Sequence, residues 1–190
     1  MASARLGSGH SHRGGKKKAQ IGPRPPIHLD VLKVNSSYWK HFAPHYYLKL
    51  PMPPAAEYFV GTVDGEMVCH LAVCPFFTAK AYRATRLVVM PEWQGAGVGT
   101  KFLEAVCEYH KSGMGRCQRK LPTLFHTSHP QLIGYLQKSP LWVLKSQQMF
   151  GGSKAKSQKS LRKAGSNIGS TTGYGGHFRA VQGFKYLGNR

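Results

Sequence analysis

The stretch PEWQGAGVGTKF, Pro91–Phe102, decides the fold class of this 190-residue chain. It places three glycines and an alanine within five positions, after the apolar run LVVM at residues 87–90 and before the helical pattern TKFLEAVCEYH at residues 100–110. Glycine costs conformational entropy, so a glycine cluster at a helix start indicates a backbone requirement. A strand that ends in such a turn presents backbone N–H groups and the positive end of a helix dipole to an anion. The stretch therefore predicts a phosphate-binding turn.

The spacing of the glycines distinguishes three phosphate-binding patterns. The nucleoside-triphosphate loop requires GxxxxGK[ST], which residues 95–100 do not supply. The dinucleotide pattern GxGxxG also fails, because the glycines fall as GxGxG and no acidic residue stands about 20 positions further on. A third pattern, Gln/Arg-x-x-Gly-x-Gly/Ala, matches at residues 94–99.

With this turn, the strand LVVMP and the helix TKFLEAVCEYH, the chain resembles the GNAT superfamily of N-acyltransferases, and its element order is similar from Ile27 to Ser146. The resemblance implies an α/β (α+β) fold with a mixed, mostly antiparallel central sheet flanked by helices. It also implies acetyl-CoA or another acyl-CoA as the cofactor, and no metal ion. By the same resemblance, the backbones of Leu87, Val88 and Val89 hold the pantetheine arm. The pyrophosphate would be held by the backbones of Gln94, Gly95, Ala96, Gly97, Val98, Gly99 and Thr100.

Periodicity and turn residues predict the elements around this turn. Asp64-Gly65 between two apolar runs predicts a hairpin, and apolar residues at three- and four-residue spacing predict a helix from Val98 to about Lys111. Other strands are predicted at residues 27–34, 84–90, 123–128, 141–146 and 177–187. Short helices are predicted at residues 37–42 and 129–139, and residues 75–84 are predicted to be a connector. The residues that the long helix would bury are Val98, Phe102, Val106 and Cys107, and those that it would expose are Glu104 and Glu108.

The chain divides into a core and basic flanks. Residues 1–26 are predicted as a disordered basic arm, 27–146 as the GNAT-fold catalytic domain, 147–176 as a basic, flexible Gly/Ser/Lys-rich loop, and 177–190 as a closing strand and C-terminus. The net charge of +20 is uneven, since residues 1–33 carry seven basic residues against one acid, 34–108 six against six, and 109–190 fourteen against none. This distribution favours a polyanionic partner, although flanks that only aid solubility are the other interpretation.

Nucleic acid, with DNA favoured over RNA, is the partner that we expect from this charge. No segment reaches the roughly 20 apolar residues of a membrane span, so no membrane partner is expected. The N-terminus carries no hydrophobic secretory segment and the four cysteines lack CxxC spacing, so a cytoplasmic protein with reduced thiols is predicted. The expected contacts to the nucleic-acid backbone are Lys16, Lys17, Lys18, Lys154, Lys156, Lys159, Arg162 and Lys163.

The general acid has a candidate in the helix HPQLIGYLQKSPLW. By resemblance to the family, Tyr135 protonates the departing thiolate, although Ser139-Pro140 replaces the Gly-Phe that follows this tyrosine in the family. A tyrosine that merely packs on a short helix is the alternative.

The general base is harder to assign, because the family commonly uses a glutamate and this chain has only seven acidic residues. Glu57 and Glu92 remain possible, but the composition favours a histidine or a water molecule. In the segment HTSHP, Ser128 and His129 are expected either as a hydrogen-bonding pair at the reacting centre or as the cap of the next helix.

The aromatic segment SYWKHFAPHYYLKLP, residues 37–51, is the predicted wall of the acceptor site. Aromatic rings beside cations are what a flipped or single-stranded base stacks on. We predict that Trp39, Tyr46 and Tyr47 bind substrate and that His45 takes part in catalysis. Alternatively, Trp39 and Phe42 belong to the core and only the HYY end is exposed.

Three functions remain open from the sequence. The basic flanks and the HYYL and TSHP segments resemble the Mom-like branch of phage and mobile-element proteins, GNAT-fold enzymes that modify adenine in DNA against restriction. The resemblance implies transfer to the exocyclic amine of a flipped adenine, which is so weakly basic that no ammonium needs deprotonation. The alternatives are an acetyltransferase of aminoacyl-tRNA or of a ribosomal or nucleic-acid-associated protein, and a non-catalytic nucleic-acid-binding module.

Overall fold

The computed structural model describes residues 26–47, 52–53, 55–148 and 180–188, which form a seven-stranded sheet flanked by helices. Across the sheet the strands follow the order β1-β2-β3-β4-β5-β7-β6, and of these neighbours β4 and β5 alone run parallel. The mixed, mostly antiparallel sheet is therefore confirmed. The strands are β1 (Asp30–Val34), β2 (Glu57–Val63), β3 (Glu66–Phe76), β4 (Ala81–Val89), β5 (Thr123–Thr127), β6 (Trp142–Gln148) and β7 (Val181–Tyr186), and the helices are α1 (Trp39–Phe42), α2 (Val98–Lys111) and α3 (Pro130–Lys138).

The hairpin of β2 and β3 forms at the dipeptide that predicted it. Asp64 and Gly65 have φ values of 50° and 81°. Two consecutive residues of positive φ are what a tight hairpin turn requires, because only then does the turn match the twist of the strands. The long helix α2 likewise has the bounds that its apolar spacing predicts.

The segment 75–84 is mostly strand, so its interpretation as a connector was wrong. β3 continues to Phe76 and β4 begins at Ala81, which leaves only residues 77–80 to turn the chain. The reason lies in packing, since Tyr82 is fully buried and its hydroxyl accepts a hydrogen bond from the Cys117 backbone N–H at 2.8 Å. A buried side chain of this size keeps the residues around it in the sheet.

The two faces of the sheet carry separate cores. On the first face, α2 and α3 pack on an apolar cluster that includes Phe59 and Phe102. On the second face, the segment around α1 contributes Phe42 to a smaller cluster with Val60 and Val88. Consecutive residues of a strand point to opposite faces, so β2 and β4 are covered on both sides where these clusters lie.

Glu104 is buried on α2, and the prediction that it faces outward was wrong. Its side chain accepts hydrogen bonds from the Tyr135 hydroxyl at 2.8 Å and the Trp142 indole N–H at 3.3 Å. A carboxylate can be buried in this way because two donors replace its water. Glu108, by contrast, is exposed as predicted and accepts a hydrogen bond from the Tyr186 hydroxyl.

The C-terminal strand β7 lies inside the sheet and pairs antiparallel with both β5 and β6. All four cysteines are free, as expected. Among the described residues no helix is long and apolar enough to cross a membrane. The predicted basic arm and most of the predicted basic loop lie outside the described residues, and with them all the expected nucleic-acid backbone contacts: Lys16, Lys17, Lys18, Lys154, Lys156, Lys159, Arg162 and Lys163.

Candidate active site

The parallel strands β4 and β5 separate partway along their length. Their pairing covers Tyr82–Ala84 of β4, and no β5 residue pairs with β4 beyond Ala84. On its other side β4 continues to pair with β3 as far as Val89. Residues 85–89 of β4 therefore have no strand partner from β5, and the predicted pantetheine-binding residues Leu87, Val88 and Val89 lie in this stretch.

A bulge in β4 coincides with this separation. The register of β3 and β4 shifts between His70 and Ala72, and Arg86 has a φ of 58°. Positive φ is uncommon for a residue with a side chain. The His70 ring nitrogen Nδ1 lies 3.2 Å from the Arg86 carbonyl oxygen, so Nδ1–H is the donor and the carbonyl the acceptor. The bulge is thus held from the neighbouring strand.

The turn at residues 94–97 has the geometry that an anion site needs. Gly95 and Gly97 have φ values of 81° and 84°, and a Cβ atom built on either meets nothing within 4 Å. Gly97 is also the N-cap of α2, and no side chain caps the first turn of that helix. The first N–H groups of a helix lack partners within the helix, so they point into the space that the two glycines leave open.

The turn is anchored by contacts of its own residues. The Gln94 side-chain amide donates to the Val89 carbonyl at 3.0 Å, and the Thr100 hydroxyl donates to the Gly97 carbonyl at 2.8 Å. A Cβ on Gly99 would lie 2.6 Å from Val89 Cγ2, so glycine is needed there for α2 to approach β4. Two glycines of the turn thus clear space in front of the helix, and the third brings the helix to the strand.

These residues fit the pyrophosphate of an acyl-CoA. Gly95 and Gly97 have left-handed backbones and no Cβ atoms, so they leave space for the anion. The uncapped first turn of α2 supplies N–H donors and the positive end of the helix dipole. Ala96 and Val98, which belong to the same predicted set, lie between the glycines. Val98 is the first residue of α2, and its side chain is buried.

Tyr135 lies on α3 and reaches the first half of α2. Its hydroxyl donates to Glu104 at 2.8 Å, and burial together with this carboxylate raises the pKa of Tyr135 above its ordinary value. The hydroxyl thus keeps its proton at neutral pH, as a general acid must. The ring packs against the core and its hydroxyl is bonded to a buried carboxylate, so the general-acid role stays a prediction beside the packing alternative.

Ser128 and His129 follow β5, and His129 is the N-cap of α3. Its Nδ1 accepts a hydrogen bond from the Leu132 N–H at 3.4 Å, and its own N–H donates to Thr127 Oγ1 at 3.1 Å. The structure thus realises the capping alternative for His129.

The aromatic segment follows the core alternative for Phe42 but only in part for Trp39 and Tyr46. Phe42 is buried, Trp39 and Tyr46 are half-buried with ring centroids 5.5 Å apart, and Tyr47 is exposed beside Tyr46 at 5.0 Å. His45 is exposed in the short turn after α1.

Two residues of this region were missed by the sequence reasoning. Arg86 is 8% exposed and its guanidinium carbon lies 5.3 Å from the centre of the Tyr46 ring. His70 is fully buried, and burial lowers its pKa to about 4 despite the hydrogen bond to the Arg86 carbonyl. The signal that could have found them is a cation or imidazole inside an otherwise apolar strand, as in ATRLVVM and MVCHLAV.

The diverging parallel strands and the turn at the start of α2 are the features that the resemblance to acyl-CoA-dependent N-acyltransferases led us to expect. Residues 54–138 match the family model of the acetyltransferase (GNAT) domain. That segment, which is less than half of the chain, is therefore similar to GNAT acetyltransferase domains. No curated protein sequence matches the chain.

Solved GNAT structures share the fold at low sequence identity. The ribosomal-protein-S18-alanine N-acetyltransferase from Escherichia coli superposes with a TM-score of 0.56 at 8% identity, covering 86% of this chain and 96% of that one. A spermidine N-acetyltransferase chimera from Vibrio cholerae gives 0.58 at 9%, covering 84% and 95%. A putative streptothricin acetyltransferase from Bacillus anthracis, in complex with acetyl coenzyme A, gives 0.51 at 11%, covering 86% and 99%.

Proposed function

We propose that this GNAT domain modifies nucleic acid, and that its acceptor is the exocyclic amine of adenine in DNA, as in the Mom-like anti-restriction enzymes of phages. One observation carries the choice of nucleic acid. Strands β4, β5, β6 and β7 contain no acidic residue, whereas they contain Arg83, Arg86, Lys145 and Lys185. Such a sheet attracts a phosphodiester and repels a cationic polyamine.

The aromatic wall supports a base as the acceptor. Tyr47 is exposed, Tyr46 contacts Trp39 edge-on and Tyr47 at a tilt, and the buried guanidinium of Arg86 lies over Tyr46. A base removed from a duplex is held by stacking on such rings and by nearby cations. The wall lies on the second face of the sheet, next to the bulge of β4.

The reaction that we assign needs few protein groups. The acyl-CoA supplies the thioester, and the backbones of residues 87–89 and 94–100 bind its arm and pyrophosphate. Proximity of the two reactants then supplies much of the rate. We assign the Tyr135 hydroxyl as the proton donor for the departing sulfur, which requires its hydrogen bond to turn from Glu104 to the sulfur during the reaction. The adenine amine, already neutral, attacks without prior deprotonation. We include β7 in this catalytic unit because it pairs with β5 beside the site.

The alternative acceptor is an aminoacyl-tRNA or a ribosomal protein. The absence of acidic residues from β4–β7 supports this alternative as well, because a substrate bound to the ribosome or to tRNA also brings a polyanion to the site. The fold shared with an enzyme named for the alanine of a ribosomal protein is compatible with this alternative.

We expect modified adenine in DNA from cells that express the chain. The measurement is mass spectrometry of nucleosides from digested DNA and RNA, with a Tyr135→Phe variant as the matched control. Unmodified DNA and RNA from cells with soluble wild-type protein would refute the proposal. An acetyl-CoA assay with aminoacyl-tRNA and ribosomal proteins then tests the alternative.

Neutralising the basic loop is expected to weaken the salt-dependent part of DNA binding. Because β7 lies inside the sheet, truncation after residue 150 would remove a strand, so the charges are better removed by substitution with glutamine at Lys154, Lys156, Lys159, Arg162 and Lys163. The slope of log K against log salt should become shallower by about 0.9 for each phosphate that the variant no longer neutralises. Arg119→Gln with Lys120→Gln, two exposed residues after α2, is the control, and an unchanged slope in the loop variant would contradict the assignment.

A further inference from the structure

Three strands bring a histidine and a serine together over a glycine on the second face of the sheet. In the register, Gly183 of β7 pairs with His126 of β5 on one side and with Ser146 of β6 on the other. A Cβ built on Gly183 would lie 2.7 Å from His126 Nε2 and closer still to Ser146 Oγ. Both side chains therefore lean over the glycine, and any larger residue there would displace them.

His126 stands where β4 and β5 separate. Phe125 is the last β5 residue paired with β4, and His126 is the next residue along. Phe125 belongs to the core under α2, so His126 points to the opposite face, the face that carries Arg83 and the aromatic wall. Its side chain is exposed, and a substrate on that face can reach it.

We propose that His126 is the general base of the acyl transfer, with Ser146 and Gly183 positioning its ring. As the acceptor nitrogen bonds to the acyl carbon, its proton passes to the imidazole, the C–S bond breaks, and the sulfur leaves with a proton from the general acid. The proposal rests on the N-acyltransferase class of the domain and not on nucleic acid as the acceptor. It gives the reaction a proton acceptor on strands that contain no carboxylate.

The other histidines near the site are less suited to this role. His129 Nδ1 already accepts the N–H of Leu132, so its neutral ring carries the proton on Nε2 and offers no free lone pair. His70 is fully buried and donates to the Arg86 carbonyl. An imidazole must be both reachable and hold an available lone pair to accept a proton, and among these three only His126 is exposed without a capping role.

Partial burial, and after it the charge of Arg83, favour the neutral form of the His126 ring. The strands packed beside it carry Arg83 and Arg86 on β4, Lys185 on β7 and Lys145 on β6, all cationic. Partial burial, followed by the charge of Arg83, lowers the pKa of His126 below its ordinary value of 6.5. A base with a lowered pKa stays unprotonated at neutral pH, so the rate should decline only when the pH falls below 6.5.

The test uses the full chain and hydrolysis of acetyl-CoA, in which water replaces the amine and gives up its proton to the same base. We expect His126→Gln to lower the rate of thioester loss about a hundredfold, within the usual range for a general base, and to abolish the decline at acidic pH. His28→Gln, on the far edge of the sheet, is the control and should keep the wild-type rate and pH profile.

A second readout does not depend on turnover. In the wild type, the imidazole resonance that disappears in His126→Gln should titrate with a midpoint below 6.5 that equals the midpoint of the rate profile. Gly183→Ala should shift that resonance and lower the rate while circular dichroism remains native. A wild-type rate and profile in folded His126→Gln would overturn the proposal. If that variant does not fold, the resonance that shifts in folded Gly183→Ala identifies His126, and a wild-type titration of that resonance that departs from the rate profile would do the same.

Discussion

Gly97→Val is expected to weaken acetyl-CoA binding by about tenfold or more, which corresponds to roughly 1.4 kcal/mol. Gly97 has a φ of 84°, and the space in front of its Cα is open. A β-branched side chain both disfavours the left-handed backbone and fills the space that we assign to the pyrophosphate. Isothermal calorimetry with acetyl-CoA measures the change in affinity directly.

The control for this variant is Gly65→Val. Gly65 has a nearly identical φ of 81° and an equally open Cβ position, but it lies in the hairpin turn of β2 and β3. It therefore carries the same backbone strain without touching the cofactor turn. If folded Gly97→Val binds acetyl-CoA as tightly as the wild type, the assignment of the pyrophosphate to this turn is wrong.

Glu57→Leu is expected to lower the free energy of unfolding by about 3 kcal/mol, the lower end of what breaking a buried charged cluster costs. The Glu57 side chain is buried and accepts the Arg116 backbone N–H at 2.8 Å and the Lys33 ammonium at 2.6 Å. Its other neighbour is His110, fully buried, with Nε2 at 3.2 Å. Leucine leaves these groups without their carboxylate. Urea unfolding followed by circular dichroism gives the difference.

Lys33→Met separates the ion pair from the buried cluster. The Lys33 side chain is 52% exposed, so its pairing with Glu57 should contribute less than about 1 kcal/mol. A decrease in stability in Lys33→Met as large as that in Glu57→Leu would show that the ion pair, and not the buried hydrogen bonds of Glu57, accounts for its contribution to stability.

The sequence correctly predicted the elements whose conformation depends on residues close together in the chain. Asp64-Gly65 predicts the hairpin because two consecutive residues of positive φ are a local requirement. The bounds of α2 follow from its apolar spacing in the same way. The segment 75–84 was misinterpreted because Tyr82 is buried by the tertiary structure and its hydrogen-bond partner, the Cys117 N–H, lies 35 residues away.

The same distinction applies to the candidate site, where the contiguous turn could be predicted and the contacts between distant residues could not. The cofactor turn is contiguous in the chain, so the spacing of its glycines is enough to recognise it. The orientation of Glu104 could not be predicted, because its donors Tyr135 and Trp142 stand 31 and 38 residues away. The partners of His126 lie on two further strands, and nothing in the segment HTSHP indicates which of its histidines faces them.

By itself, the sequence determined the glycine turn, the helix behind it and the excess of positive charge, because spacing, backbone freedom and composition are properties of the chain alone. The tertiary structure decided which side chains meet at the site. Pairing of β5 with β7 and of β7 with β6 brings His126, Gly183 and Ser146 to one row of the sheet. Residues up to 57 positions apart become neighbours there only because the strand order places the last strand inside the sheet.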